Sequence, residues 1–591
     1  MPSSALRLLL CSVALSLALS GCEGASSGKS ASSSVVIDED QDGFSAEEDC
    51  NDLDPGTHPD AVESCDAVDN DCDGAVDEGV ATEWYPDEDE DGFGDGSAPI
   101  YACSNVAGTV PNGDDCNDAS AATWPGAEEL CDGIDNDCDD LPDPNSCRPL
   151  DSADGRMDGA DADGQLGFSV AGPGDLDGDG RADVLVGAPG VEPGGVAYLF
   201  SGPVLVALTP TTAKAAFFGK SIGDDAGYSV SGAGDLDLDG YADLAIGARG
   251  ENTTGDGAGA IYLLSGPLSG DYGEEHATAI LYGETAGDAA GIGLAAAGDT
   301  NGDGQPDLLV GAPNDSDVAI NAGSAYLLLG PLSGPINLST AAAKLTGEFD
   351  SDYAAQRLDG GGDLNGDGLD DIVVAAYSSD RSASGAGAVY VFEGPVVGER
   401  SLSEAAAILT GKAEGDHVGQ ALRLAPDLDL DGYDDLLIGA PDQGDGGTGA
   451  GAAYLMRGPL TGEHSVTEAA AVLIGRAEWD HAGNAVDAPG DVNGDGQPDV
   501  LVGAYIEDSG GLNAGAAYLM HGPLEGTAYL KTAQAGFIGE VDGDNAGWSV
   551  AALGDSDGDG LSDLLIGAPG HDNLADNAGA AYFIGSIGLA D

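Results

Sequence analysis

The stretch Asp175-Leu176-Asp177-Gly178-Asp179-Gly180-Arg181-Ala182-Asp183, continuing into Val184-Leu185-Val186-Gly187-Ala188-Pro189, decides the fold. Its first part has the form D-x-[DN]-x-D-G-x-x-D. That form occurs seven times, opening at Asp175, Asp235, Asp299, Asp363, Asp427, Asp491 and Asp555, with a spacing of 60 residues once and 64 thereafter. Each loop leads into an apolar run and a small-residue turn, as at Leu564-Leu565-Ile566-Gly567-Ala568-Pro569. A second run follows, such as Ala260-Ile261-Tyr262-Leu263-Leu264, then a Gly-Pro turn and a third run ending in glycine, such as Ala279-Ile280-Leu281-Tyr282-Gly283. A further run precedes each loop, for example Gly227-Tyr228-Ser229-Val230. Short apolar runs separated by glycine-rich turns indicate all-β structure. Four strands in each of seven periods predict a seven-bladed β-propeller over residues 149–591.

The same register predicts how the ring closes. The strand-ending glycine recurs at Gly219, Gly283, Gly347, Gly411, Gly475 and Gly539, and a seventh copy would fall beyond Asp591. An equivalent stands upstream at Gly159. Residues 152–158 are therefore expected to supply the outer strand of the last blade, which would join the two ends and remove exposed sheet edges.

The acidic loops have the grammar of a cation site. Positions 1, 3, 5 and 9 offer side-chain oxygens, and position 7 a backbone carbonyl. The residues are Asp175, Asp177, Asp179 and Asp183; Asp235, Asp237, Asp239 and Asp243; Asp299, Asn301, Asp303 and Asp307; and Asp363, Asn365, Asp367 and Asp371. They continue with Asp427, Asp429, Asp431 and Asp435; Asp491, Asn493, Asp495 and Asp499; and Asp555, Asp557, Asp559 and Asp563. An EF-hand would place a glutamate at position 12, but position 12 of the first loop is Val186, inside an apolar strand. Hard oxygen donors suit Ca²⁺, about seven ions in the ring.

These repeats resemble the FG-GAP repeats of integrin α subunits. The resemblance implies cations that brace one face of a propeller, a structural role for calcium, and partners that dock elsewhere. The chain differs from an integrin subunit in showing no transmembrane run and no domain inserted between its repeats.

The N-terminal quarter is of another kind. Arg7, the apolar run from Leu8 to Leu19 and then Ser20-Gly21-Cys22 resemble a bacterial lipoprotein signal, so residues 1–21 are expected to be removed and Cys22 acylated. Residues 22–37 read as a flexible tether. Two acidic modules follow, 38–86 and 87–148. The first carries Asp38, Asp40 and Asp42, then Asp69, Asp71, Asp73 and Asp77; the second carries Asp87, Asp89 and Asp91, then Asp135, Asp137 and Asp139. Alternating carboxylates before a glycine again converge on one point. Cys50, Cys65, Cys72, Cys103, Cys116, Cys131, Cys138 and Cys147 read as disulfides of an exported protein, with connectivity open. The modules resemble the metal-binding motif repeats of bacterial surface proteins and, more loosely, thrombospondin calcium repeats. Two departures stand out: Asp140 replaces the Gly74 of the first copy, and the first copy holds no evident partner for Cys103.

Composition narrows the function. Asp and Glu number 106 against 17 Lys and Arg, a net charge of -89, which repels nucleic acid and anionic membrane surfaces. No metalloprotease, serine-hydrolase or phosphate-loop motif is present, and no catalytic residue is expected. His417 and His481 are 64 residues apart and so occupy the same place in adjacent blades, which favours a scaffold or surface role. The expectation is a calcium-binding lipoprotein of the bacterial envelope, at the outer membrane or cell surface. It would act in adhesion or recognition of a protein or glycan through a propeller face and touch the membrane only through its lipid. The alternatives are a carbohydrate-binding lectin and a polysaccharide- or lipid-active hydrolase or lyase. Trp479 and Trp548 are the only tryptophans of the propeller, a thin supply of sugar platforms.

Overall fold

The computed structural model describes residues 38–586, apart from 90, 122, 128–135, 137 and 139–146. Cys22, Cys131, Asp135, Asp137 and Asp139 lie outside the described residues. The apolar run after each acidic loop becomes a strand buried along its whole length, as at Asp183–Ala188, Asp371–Ala376 and Asp563–Ala568. A strand covered on both faces reads as an unbroken apolar run, not as an alternation. In the first repeat it pairs antiparallel with Ser169–Gly174 on one side and Val196–Phe200 on the other, and the latter pairs with Ala215–Phe218. Seven such sheets follow one another along the chain.

Each sheet has a fifth strand that the apolar pattern did not announce. It is short, runs parallel to the fourth strand, and comes from the next repeat: Gly270–Tyr272 joins the first blade and Gly398–Ser401 the third. These edge strands are polar and half-exposed, so no hydrophobic run marks them. A single 3-10 turn follows, fixed at Leu402–Glu404 by a capping box between Ser401 and Glu404.

The ring closes as the register of the glycines requires. Gly155–Asp158 pairs antiparallel with Ala580–Ile584 and completes the seventh blade, where it is the fourth strand and Ala207–Leu208 the fifth. A second clasp lies just upstream, where Cys147–Pro149 adds to the sixth blade beside Ala535–Ile538. Arg156 ties the closure further, reaching Glu540 and Asp158 at 2.8 Å each. The apolar core is divided into seven clusters, and each straddles two neighbouring blades. In the closing cluster Val184, Val186 and Phe200 of the first blade pack with Leu553, Leu565 and Phe583 of the seventh. Burial of a side chain of that size contributes about 1.5–3 kcal/mol, so the stability of the ring lies at its interfaces.

The glycine of the Gly-Ala-Pro turn has a steric cause. A Cβ on Gly187 would lie 2.0 Å from the carbonyl oxygen of Gly227 in the next blade, and one on Gly567 would lie 2.1 Å from that of Gly167. The same carbonyls accept hydrogen bonds from Ser169 and Ser549, at 2.9 and 2.8 Å. Backbone thus meets backbone between blades, at the closing interface as elsewhere.

The N-terminal compact unit, which ends at Pro125, has a small three-stranded sheet of Thr82–Pro86, Ile100–Ala102 and Thr109–Val110. Disulfides join Cys50 to Cys72 and Cys65 to Cys103. Cys103 therefore does find its partner in the first module, contrary to the sequence reading; the bridge spans 38 residues, and spacing alone did not reveal it. Cys116, Cys138 and Cys147 are disulfide-bonded as well. Phe44 stacks on His58 and Phe93 on Trp124, at 4.9 and 5.4 Å, a small aromatic core repeated once per module. Among the described residues no helix is long and apolar enough to cross a membrane.

Gly567→Ala is expected to destabilise the propeller by about 1–3 kcal/mol, the usual cost of overpacking. Ala375→Gly, at the same position of the fourth blade, should cost no more than about 1 kcal/mol. Urea melts of the two variants test this, and equal effects would remove the close-contact explanation.

Candidate functional site

The first candidate site is the set of acidic loops. The bonding is the same in all seven. The first carboxylate of each loop accepts the N–H of the glycine five residues on, as Asp175 does from Gly180 at 2.7 Å and Asp555 from Gly560 at 3.0 Å. The ninth accepts the N–H of loop position 2 through one oxygen, as Asp183 does from Leu176 at 2.9 Å. Its other oxygen faces the turn after the next strand, receiving Gly202 N–H at 3.3 Å in the first blade and Gly394 N–H at 3.0 Å in the fourth. The ninth residue thus fastens two turns together, and it is buried in every blade. Burial pushes its carboxyl up, to about 6 for Asp183, Asp243 and Asp435 and to about 7 for Asp371. A divalent cation would favour the ionised form and offset that cost.

The loops are not all alike. In the first, the carboxylate of Asp177 already meets Lys214 at 3.0 Å and Ser201 at 2.5 Å. In the fifth, Asp429 meets Arg457 at 2.8 Å. In the sixth, the Asn493 amide meets His521 at 3.0 Å. These partners sit at the same place, or one strand further on, outside the nine-residue pattern, and no reading of the loop alone finds them.

The N-terminal clusters are more explicit. Carboxylate oxygens of Asp40, Asp42 and Asp49 lie within 4.8 Å of one another, as do those of Asp38, Asp40 and Asp52, and those of Glu63, Asp71 and Glu78. Asp40, Asp42, Asp49, Asp69 and Glu78 each carry a buried oxygen with no hydrogen-bond partner. The second module repeats this: Asp87, Asp89, Asp91 and Asp115 each carry one too. Burial, with Asp91 and Asp89 beside it, pushes the Asp115 carboxyl up. Orphaned buried carboxylate oxygens fit a bound hard cation. Asp49, Asp52, Glu63, Glu78 and Asp115 were not among the ligands read from the sequence. Asp77 was, and its carboxylate also accepts the N–H groups of Asp66 and Ala67 at 3.1 Å. Asp73 accepts the N–H of Ala75 at 2.8 Å.

The second candidate site lies at the opposite end of the blades. Each innermost strand begins at the mouth of the central channel and ends in its acidic loop, about 20 Å away for six residues of strand. Around the mouth Phe168 lies 4.9 Å from Tyr228 and 5.5 Å from Trp548, and Tyr505 stands edge-on to Trp548 at 5.0 Å. His481 continues the series beside Tyr505 and Trp479, and Tyr377 beside Tyr353 carries it to His417. Asp442 joins the two arcs, with His417 at 2.5 Å and His481 at 3.3 Å. The guanidinium of Arg249 covers Tyr228 at 4.1 Å and pairs with Asp225 at 2.9 Å. Two histidines that looked merely repetitive in sequence therefore share one carboxylate in an aromatic crown. The crown was illegible in sequence because its members fall at a few positions of the repeat that carry different residue types from blade to blade, such as Tyr353, His417 and His481.

Family comparison gives the same repeat registers. The FG-GAP repeat model matches residues 167–200, 226–264, 290–328, 356–392, 418–456, 482–520 and 546–584. The chain carries seven FG-GAP repeats. A second family model, described as "Putative metal-binding motif", matches residues 49–78 and 115–144. Among curated proteins the chain is similar to integrin alpha pat-2 of Caenorhabditis elegans, 30% identical over 219 residues, and to integrin alpha-PS2 of Drosophila melanogaster, 33% identical over 231 residues. Those matches take in 35% and 37% of this chain but 17% and 16% of the relatives, so it spans a minor part of their length. Integrin alpha-IIb of Mus musculus is 40% identical over 148 residues, 24% of this chain and 14% of that protein. Each FG-GAP repeat runs from the channel mouth through the acidic loop to the third strand, so one repeat unit spans the distance between the two candidate sites.

Two outcomes are expected. Calcium added to chelated protein should raise the melting temperature and titrate to several sites; a ligand at a hundred times its Kd adds about 2.7 kcal/mol per site. Unchanged melting and no heat of binding would remove the metal reading. The second concerns Asp352 and Asp480, which accept loop N–H groups near the crown and whose carboxyls burial pushes up to about 6 and about 7. The folded, calcium-free chain holds these protons where the unfolded chain, with an ordinary carboxyl near 4, has released them. Their contribution is complete below about pH 4 and is lost as pH rises through 6 to 7. Urea melts across that range should show a shallower decline for Asp480→Asn than for the parent; identical slopes would refute the assignment.

Proposed function

We propose that this protein is a calcium-braced recognition protein, held by a lipid on Cys22 at a bacterial cell surface, that binds a protein or glycan on the crown end of its propeller. The observation that carries the reading is the aromatic crown at the channel mouth, at the end of the blades remote from the acidic loops. Aromatic side chains supply large, rigid contact area at little entropic cost, and they concentrate where ligands bind. Trp479 is 56% exposed although its indole stacks on His481, an arrangement packing alone does not require. The loops have a different task in this reading. Calcium there holds the blade turns in place, so the opposite end keeps its geometry while it binds. Similarity to proteins named integrin alpha supports binding over catalysis. The lectin alternative gains from the crown, since sugar rings stack on aromatic faces.

A glycan array and a crosslinking capture on surface extracts, both in calcium, should yield a ligand for the parent protein. Trp479→Ala with Trp548→Ala should lose it while melting as the parent does. Retention of the ligand by that double variant would place recognition elsewhere on the molecule.

A further inference from the structure

The central channel opens at the crown into a cavity of about 370 Å³, within the size range of small-ligand pockets. Its wall is not uniform. Seven repeat-equivalent positions line it in one layer, and the sequence fills them unevenly. Blades seven, one and two present Trp548, Phe168 and Tyr228; blades four, five and six present Gln356, Gln420 and Asn484. One half of the ring is aromatic and the facing half is amide. The side chains of Gln356 and Gln420 meet no hydrogen-bond partner in the protein among the described residues, and that of Asn484 uses only its Nδ2, donating to the Trp548 carbonyl at 3.1 Å.

One further residue of the wall is charged. Arg357, the neighbour of Gln356, sits where the other blades place serine, glycine or alanine. Its Nε donates to the Gln420 carbonyl at 3.1 Å and its Nη1 to the Gln356 carbonyl at 3.4 Å. It makes no ion pair among the described residues. That is unusual in a chain of net charge -89, where Arg156, Arg381 and Arg423 are each held by carboxylates. Burial pushes the guanidinium down, and the Tyr228 and Tyr377 phenols, not a carboxylate, are what oppose the effect. Asp359 and Asp487, two residues further along their strands, are already bound to Arg423. A guanidinium with donors to spare, open to a cavity, is a seat for a carboxylate.

We propose that the cavity binds an acidic saccharide, a uronate whose carboxylate sits on Arg357. Its ring stacks on the Trp548–Phe168–Tyr228 arc, and its hydroxyls meet the amides of Gln356, Gln420 and Asn484. The two halves of the wall match the two kinds of surface a sugar ring presents, an apolar face and a polar rim. A second cavity of about 340 Å³ shares Phe168, Tyr228 and Trp548 and runs on to Arg249, which gives room for a chain longer than one sugar. This proposal rests on the recognition reading above and adds its ligand class.

The test is calorimetric titration of the calcium-loaded full chain with galacturonate, glucuronate and mannuronate tetrasaccharides and with their carboxyl-reduced neutral analogues. At least one acidic tetrasaccharide should bind, about tenfold or more tighter than its neutral analogue, as a charged hydrogen-bond pair implies. Arg357→Gln should abolish that difference without lowering the melting temperature, and Trp548→Ala should weaken both forms. Equal binding of acid and neutral analogue, or a preference that survives Arg357→Gln, overturns the uronate assignment and leaves crown recognition standing. Failure of all three acidic probes to bind at millimolar concentration overturns it too, as does capture of an acidic peptide by Arg357 in their place. If the ligand from the array proves indifferent to both Trp548→Ala and Arg357→Gln, the crown reading falls with it.

Discussion

Every blade of this ring is covered by its neighbour, and in six of the seven the covering brings backbone against backbone at a glycine. The Gly187 contact with Gly227 and its counterpart between Gly567 and Gly167 leave no space for a Cβ. Because apolar side chains from both partners mix in each cluster, no blade possesses a core of its own. A linear array of such units would expose two apolar faces at its ends. Closure through residues 155–158 removes both, and the paired strand at 147–149 secures the adjoining blade. Small residues, closure and shared core are thus three expressions of one requirement.

The same packing decides where charge can be placed. The ninth loop residue is buried because it links its own loop to the following turn, and it is acidic in all seven blades. Burial, with other acids of the same loop beside them, makes these carboxylates resist ionisation. The all-oxygen loops supply the geometry for divalent counter-charge, and in two blades the chain brings its own, through Lys214 and Arg457. At the other end of the strands aromatic rings stand among charged groups such as Asp442 and Arg249. The acidic loops and the aromatic crown are thus separated by the length of the innermost strands.

Much of the fold could be read from residues. The glycine register placed the closing strand within residues 152–158, and Gly155–Asp158 occupies it. The fifth strands were hidden because polar stretches such as Gly-Glu-Arg-Ser at 398–401 carry no hydrophobic signal; parallel pairing to an edge needs only backbone. The candidate sites divide in the same way. Loop carboxylates fall within nine residues of one another and were plain to see. Asp115 joins Asp89 and Asp91 across more than twenty residues, and the crown brings side by side rings of several repeats whose residue types vary from blade to blade. Patterns within one period are legible; constellations built across periods need the fold.

The clasp also sets an order of events. Residues 147–158 leave the ribosome, and cross any export channel, hundreds of residues before their partners at 535–538 and 580–584. Until those arrive, the first-made strands have nothing to pair with, and the first blade lacks the neighbour that covers it. Domains ordinarily condense from the N-terminus as they are synthesised. Here the final step is reserved for the last-made repeat, so a chain truncated anywhere before its seventh blade leaves an open seam instead of a smaller finished ring.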